Sequence, residues 1–236
     1  MFVDLTAGIS LEEIRAQHPE VLRIASSLYD YAVESGSDYL SPTEEHQVEV
    51  SPDLGYVLLK DLFVPDLVLE IVDFTKRRKY YDHLVDRDVY FHFYADNYRN
   101  NNGALDYLGS SFMQFSPGVE GIRVSINKYE KTLSRAGIGE SHLDLNTGGS
   151  PVALLASGPG YVELSKRELE EGRVTPTGND YRIFERESAK GETIILPYGG
   201  GDVLVFDGTR RLHRGAVDLT GSLNAVRHSL VVYPVE

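Results

Sequence analysis

The 236 residues contain no cysteine, no tryptophan and only 2 methionines. Without Cys there can be no disulfide, thiolate zinc site, iron–sulfur cluster or cysteine nucleophile. Any bound metal must be held by His and carboxylates. Basic residues are the minority, 23 Lys+Arg against 36 Asp+Glu, and the net charge of −13 repels the phosphates of nucleic acids and anionic membranes. No apolar run approaches the roughly 18–20 residues of a membrane span. Met1, Phe2 and Val3 lead to Glu12 and Glu13 without the basic start and apolar stretch of a signal peptide, so a cytoplasmic protein is expected. No G-x-S-x-G elbow is present, and the turns at 158–160 and 199–201 lack the G-K-[ST] of a phosphate loop.

What is present is ordinary soluble composition, 42% hydrophobic and 25% charged, at a length that suits a single domain over residues 1–236. Residues 1–54 read as an N-terminal helical segment. Ser10 and Glu13 fit a capping box, and Leu22, Ala25 and Tyr29 follow Pro19 at helical spacing. Residues 55–60 look like a strand, and Pro65 opens a helix near 65–84 carrying Leu67, Ile71 and Phe74 on one side. From residue 88 the texture changes to short apolar or alternating runs between Gly, Pro and Asn. Candidate strands are 89–94, 122–129, 141–145, 151–156, 161–164, 193–196, 202–206, 213–217 and 225–233, with a charged insertion at 165–191. Many short strands separated by turns predict a sandwich or barrel rather than a parallel sheet.

The phase of two strands is informative. Arg123, Ser125, Asn127 and Tyr129 share one face, opposite Val124 and Ile126; His142, Asp144 and Asn146 share another, opposite Leu143 and Leu145. These faces carry hydrogen-bonding and ligating side chains rather than Lys and Glu, which predicts a polar cavity backed by apolar packing. His142 and Asp144, roughly 6–7 Å apart at Cα, can reach one ion. His213 follows the strand at 202–206, and Arg227 comes after a turn-rich stretch centred on Thr220. If that turn folds 213–217 and 225–233 into antiparallel neighbours, His213 and Arg227 approach each other. Arg227 and Ser229 then share a face and His228 points away.

Two His and one carboxylate on one side of a metal leave open positions, the ligand set of non-haem Fe(II) oxygenases. A keto-diacid such as 2-oxoglutarate can chelate through one end, while Arg227 and Ser229 receive its distal carboxylate. The order His142-x-Asp144, His213, Arg227-x-Ser229 resembles the Fe(II)/2-oxoglutarate-dependent dioxygenases. Asn127-Lys128-Tyr129 looks like their N-x-Y element, and Gly201-Asp202 with Val203 to Phe206 resembles the strand before the distal His in prolyl-hydroxylase-like members. The resemblance covers residues 55–236. It implies a mainly β protein with flanking helices: a double-stranded β-helix (jelly-roll) core with N-terminal helices packed on one sheet. It further implies His142, Asp144 and His213 as Fe(II) ligands, and Arg227, Ser229, Tyr129 and Asn127 as 2-oxoglutarate contacts, with O2 as second cosubstrate. The expected reaction is hydroxylation of a small molecule, such as a free amino acid or natural-product intermediate. Alternatives are a peptidyl prolyl-type hydroxylase, desaturation or cyclisation with the same cofactors, and a non-catalytic β-helix that binds a metal or ligand. Candidate substrate contacts are Arg123, Tyr94, Tyr98 and Tyr107. Nothing in the pattern specifies an oligomeric state.

Overall fold

The computed structural model describes residues 3–4, 11–42, 46–77, 93–94, 103–114, 121–131, 137–144, 150–169, 175–217 and 226–235. Its strands are β1 (Val3–Asp4), β2 (Gln47–Ser51), β3 (Tyr56–Lys60), β4 (Phe93–Tyr94), β5 (Gly121–Glu130), β6 (Val152–Ala156), β7 (Gly160–Leu164), β8 (Ile194–Tyr198), β9 (Val203–Phe206), β10 (His213–Val217) and β11 (Val226–Val235). Its helices are α1 (Leu11–Gln17), α2 (Pro19–Ser35), α3 (Asp66–Arg77), α4 (Gly103–Gln114) and α5 (Gly178–Ala189).

The strands form an 8-stranded sheet, β1-β2-β3-β9-β6-β11-β5-β4, and a 3-stranded sheet, β10-β7-β8. All neighbours are antiparallel except β1 with β2. Residues 137–144 run beside β10 through bridges at Ile138↔Ala216 and His142↔His213, extending the small sheet by a fourth, irregular member. From β5 onward the chain passes from the large sheet to 137–144, back to β6, across to β7 and β8, then to β9, β10 and β11. That alternation between two facing sheets is the winding of a double-stranded β-helix. The sheets are not closed into a barrel.

Period-two alternation divides the large sheet into two cores. Its outer face presents Leu59, Ile126, Leu155, Val205 and Leu230 to a layer of helices contributing Ile24, Leu28, Ile71 and Leu108. Its inner face presents Leu58, Leu154, Leu204 and Phe206 to Val162, Leu164 and Leu196 of the small sheet. The N-terminal helices therefore do pack on one sheet. Pro19 opens α2, and Gly36 closes it at φ 56°, a left-handed conformation that favours glycine.

Three expectations need correction or addition. Residues 1–54 are not helix and loop alone, because β1 and β2 extend the large sheet. Residues 213–217 and 225–233 do not form paired neighbours: β10 belongs to the small sheet and β11 to the large one, flanked by β5 and β6. The turn signal marks a reversal, whereas sheet membership depends on distant partners. The insertion at 165–191 contains α5, where the Asp180 carboxylate accepts the Thr177 N–H at 2.6 Å. The predicted strand at 89–94 is described only as β4, the 141–145 strand only through 144, and Ser10 lies outside the described residues.

α5 covers the outer face of the small sheet, where a partly buried ion pair joins β7 to β10. Arg214 Nε donates to Glu163 Oε2 at 2.7 Å, and Thr193 Oγ1 donates to Glu163 Oε1. Burial alone would raise the Glu163 carboxyl, but hydrogen bonds from Thr193, Ser188 and Arg214 outweigh it and hold it below its ordinary value. A depressed carboxyl stabilises the fold above its unfolded value and loses that contribution as pH falls through the folded one. Glu163→Gln is therefore expected to cost about 1–3 kcal/mol at pH 7. The gap to wild type should shrink on acidification below the ordinary value of 4.5, as read by urea midpoints across pH. A gap that stays constant with pH would contradict it.

Candidate metal centre

The ligand-bearing side chains meet at the rim of the small sheet. His142 and His213 are paired across the strands: His142 N–H donates to His213 O at 2.9 Å and His213 N–H to His142 O at 3.0 Å. Their rings lie 4.5 Å apart at the centroids. Asp144, two residues beyond His142, turns to the same side; its Oδ2 lies 3.2 Å from His213 Nε2 and its Oδ1 3.8 Å from His142 Nε2. One ligand atom from each of the three falls within 4.8 Å of the others, so the sequence-predicted triad converges on a volume that fits one metal ion.

Both imidazoles are oriented by their own backbone. His142 Nδ1 lies 2.9 Å from Glu140 O and His213 Nδ1 3.0 Å from Arg211 O. A carbonyl partner requires the proton on Nδ1, which leaves each Nε2 lone pair for a metal. Phe206 meets the His213 ring edge to face at 5.0 Å. Burial, with the neighbouring His213, lowers His142 from its ordinary value and keeps it neutral. Burial alone would raise Asp144, but the two imidazoles hold it ionised. The same carboxylate raises His213 against burial. The His142 side chain is 39% exposed, against 5% for His213 and 12% for Asp144, so the centre opens on the His142 side.

Glycine makes room for the carboxylate. Asp144 N–H donates to Gly208 O at 3.0 Å, and a Cβ on Gly208 would overlap Asp144 Oδ2. Gly208→Ala is expected to push the carboxylate aside and weaken divalent-metal binding by about tenfold, an outer-shell effect. Titration of the full chain with Co(II) checks this, and wild-type affinity in that variant would count against the contact.

Arg227 lies in the space between the sheets. It is fully buried; Nε donates to Gly158 O at 3.1 Å and Nη1 to Ala216 O at 2.9 Å, while Nη2 has no hydrogen-bond partner. Among the described residues no carboxylate pairs with it. Asp207 accepts from Thr209 N–H and Oγ1. Because Ala216 lies three residues beyond His213 on β10, the guanidinium sits roughly 10 Å along the strand from His213. Gly160 admits it, since a Cβ there would stand 2.6 Å from Arg227 Nε.

Ser229 and Asn127 face each other across β11 and β5, as do Arg227 and Tyr129, and all four are buried. Asn127 Oδ1 also has no hydrogen-bond partner. The Tyr129 ring lies against Gly139 and Gly215 of the small sheet, where a Cβ on Gly215 would overlap its hydroxyl. One polar residue of this chamber was not foreseen from sequence. Tyr198 stacks under the Arg227 guanidinium, with Cζ 4.1 Å from its ring centroid, and its hydroxyl lies 3.0 Å from Ser229 Oγ. Alternation with the buried Leu196 was the available signal for its inward direction.

Of the remaining candidates, Tyr107 alone has a described side chain, and it is not brought to the centre. Tyr107 belongs to the helix-side core, against Tyr31, Tyr39 and Phe63, on the opposite face of the large sheet from Arg227. That corrects its assignment to a substrate pocket: aromatic content signals burial but not which layer is filled. Arg123 and Tyr94 are cross-strand neighbours on β5 and β4 by backbone register, and their side chains lie outside the described set, as does Tyr98. Asp202, in the strand motif before His213, is a turn staple that accepts Asp61 N–H and Gly199 N–H.

No family model and no curated protein matches the sequence. Among solved structures, the chain is similar to a Pseudomonas putida prolyl-4-hydroxylase at 14% identity and TM-score 0.45, covering 89% of this chain and 97% of that one. It is also similar to the non-heme alpha ketoglutarate dependent carbocyclase SnoK from nogalamycin biosynthesis, at 12% identity and TM-score 0.45, covering 76% and 79%. A third is the epimerase SnoN from the same biosynthesis, at 13% identity and TM-score 0.41, covering 88% and 82%. Among the described residues, no helix is long and apolar enough to cross a membrane.

Proposed function

We propose that this chain is an Fe(II)- and 2-oxoglutarate-dependent oxygenase that hydroxylates a C–H bond of a small molecule. The observation that carries this reading is a fully buried guanidinium with an unpartnered Nη2, bonded to the same strand, β10, that carries His213 of a His-Asp-His cluster. A buried cation without an acid is costly unless the site is built to receive one. The donor chemistry fits the metal: two neutral imidazole nitrogens and one carboxylate leave positions open for a chelating cosubstrate.

His142, Asp144 and His213 hold the iron. Arg227 receives the distal carboxylate of 2-oxoglutarate, with the Ser229 and Tyr198 hydroxyls beside it. Asn127 and Tyr129 line the passage between the two ends. Fe(II) with 2-oxoglutarate and O2 supplies oxidising power for C–H hydroxylation, releasing succinate and CO2. The protein's own part is to keep the imidazoles in one tautomer, exclude water from Arg227 and leave the His142 side open to substrate.

Anaerobic addition of Fe(II) and 2-oxoglutarate to the full chain should produce a weak visible charge-transfer band. Under air, succinate release should be driven by the substrate among a panel of amino acids and small natural products. A chain that binds neither partner, with no band and no succinate, would refute the assignment. Succinate release driven by peptides alone would overturn the small-molecule part.

A further inference from the structure

α5 touches the molecule at one place of consequence. Phe184, 1% exposed, forms an apolar cluster with Leu143 and Leu212 on the outer face of the small sheet. Leu143 stands between His142 and Asp144, and Leu212 immediately precedes His213. Because alternate side chains point to opposite faces, gripping Leu143 and Leu212 from outside grips the backbones that aim the ligands inward. Polar contacts repeat the pattern. Ser141 Oγ donates to Glu185 Oε1 at 3.3 Å, and Arg214 Nη1 donates to both Glu185 oxygens at 3.1 Å. Arg214 Nη2 donates to Ser188 Oγ at 2.6 Å, and its guanidinium lies 5.3 Å from the Phe184 ring centroid.

Each ligand-bearing segment is thus held by α5 once through an apolar side chain and once through hydrogen bonds. The backbone joins 137–144 to β10 through the reciprocal His142–His213 pair, Gly139 N–H to Gly215 O and Val217 N–H to Gly137 O, and α5 braces that irregular ladder from behind.

We propose that α5 is a clamp that sets the separation of the His142–Asp144 pair from His213, with Phe184 as its central positioning residue. The proposal rests on the reading of the triad as a metal centre. Ligands must sit within about 0.5 Å of productive geometry, and that placement depends on side chains locked by packing behind them. An aromatic ring filling the gap between two strands from outside does this without touching the ion.

The test uses the full chain and Co(II) as a spectroscopic probe of the site. Phe184→Ala should weaken Co(II) binding by about 10–100-fold and alter the visible Co(II) absorption, whereas Phe184→Leu should stay within about threefold of wild type. A folded Phe184→Ala protein with wild-type affinity and spectrum overturns the clamp. Should that variant fail to fold, Glu185→Ala, which removes a carboxylate whose side chain is 53% exposed, serves instead. It should weaken Co(II) about three- to tenfold, and unchanged affinity again overturns the proposal. Asp144→Ala separates the two ideas. If it binds Co(II) as wild type does, the metal-centre reading fails and the clamp with it; if it loses Co(II) while the α5 variants keep it, only the clamp fails.

Discussion

Asp144→Ala is expected to remove divalent-metal binding and, with it, all 2-oxoglutarate turnover. The carboxylate is the only anion of the triad, and it bridges toward both imidazoles, 3.2 Å from His213 Nε2 and 3.8 Å from His142 Nε2. Two neutral nitrogens alone neither balance the charge of the ion nor define a coordination face. Outer-shell losses alone cost about 10–100-fold in affinity, so losing a charged ligand should cost at least about 100-fold. The scaffold should survive, because the imidazoles keep their Nδ1 partners Glu140 O and Arg211 O. Anaerobic Fe(II) titration and circular dichroism on the same sample separate lost binding from lost fold. Affinity near that of wild type would remove the basis for the metal centre.

Arg227→Met should separate the two ends of the site. Truncating one partner of a buried charge pair costs about 2–5 kcal/mol, so 2-oxoglutarate binding should weaken by roughly 30- to 4,000-fold while the metal still binds. The metal-free protein should change little in stability. Gly158 O and Ala216 O lose their donors, but a buried cation without an acid is removed as well. For wild type, saturating 2-oxoglutarate at about 100 times Kd contributes about 2.7 kcal/mol, which raises the melting temperature by roughly 5–10 °C in a domain of this size. That shift should vanish in Arg227→Met and return in part in Arg227→Lys, which restores the charge without the planar fork. Calorimetric titration supplies the affinity directly. Retention of the full thermal shift in Arg227→Met would mean that the distal carboxylate binds elsewhere.

Legibility from sequence followed the range of the interaction responsible. β5 and β11 were readable because their alternation is a local property: Ile126 and Leu230 turn to the helices while Asn127, Arg227 and Ser229 turn inward. α4 was missed because it carries Gly103, Gly109, Ser110 and Ser111 and is buried on several sides, which blurs the single apolar stripe that marks a helix. α5 was missed for the opposite reason, since Phe184 is its one buried apolar side chain.

The sequence alone determined which side chains share a strand face, because a period of two leaves no freedom once a strand forms. From that came the pairing of His142 with Asp144 and the common direction of Arg227 and Ser229, while the lack of cysteine removed any thiolate alternative. Tertiary structure decided which faces look at each other. It put β10 and β11 in opposite sheets rather than in one hairpin, turned Tyr107 to the helix side, and brought Tyr198 beneath Arg227. These outcomes depend on pairing and packing between segments far apart in the chain, and only the folded whole selects among those partners.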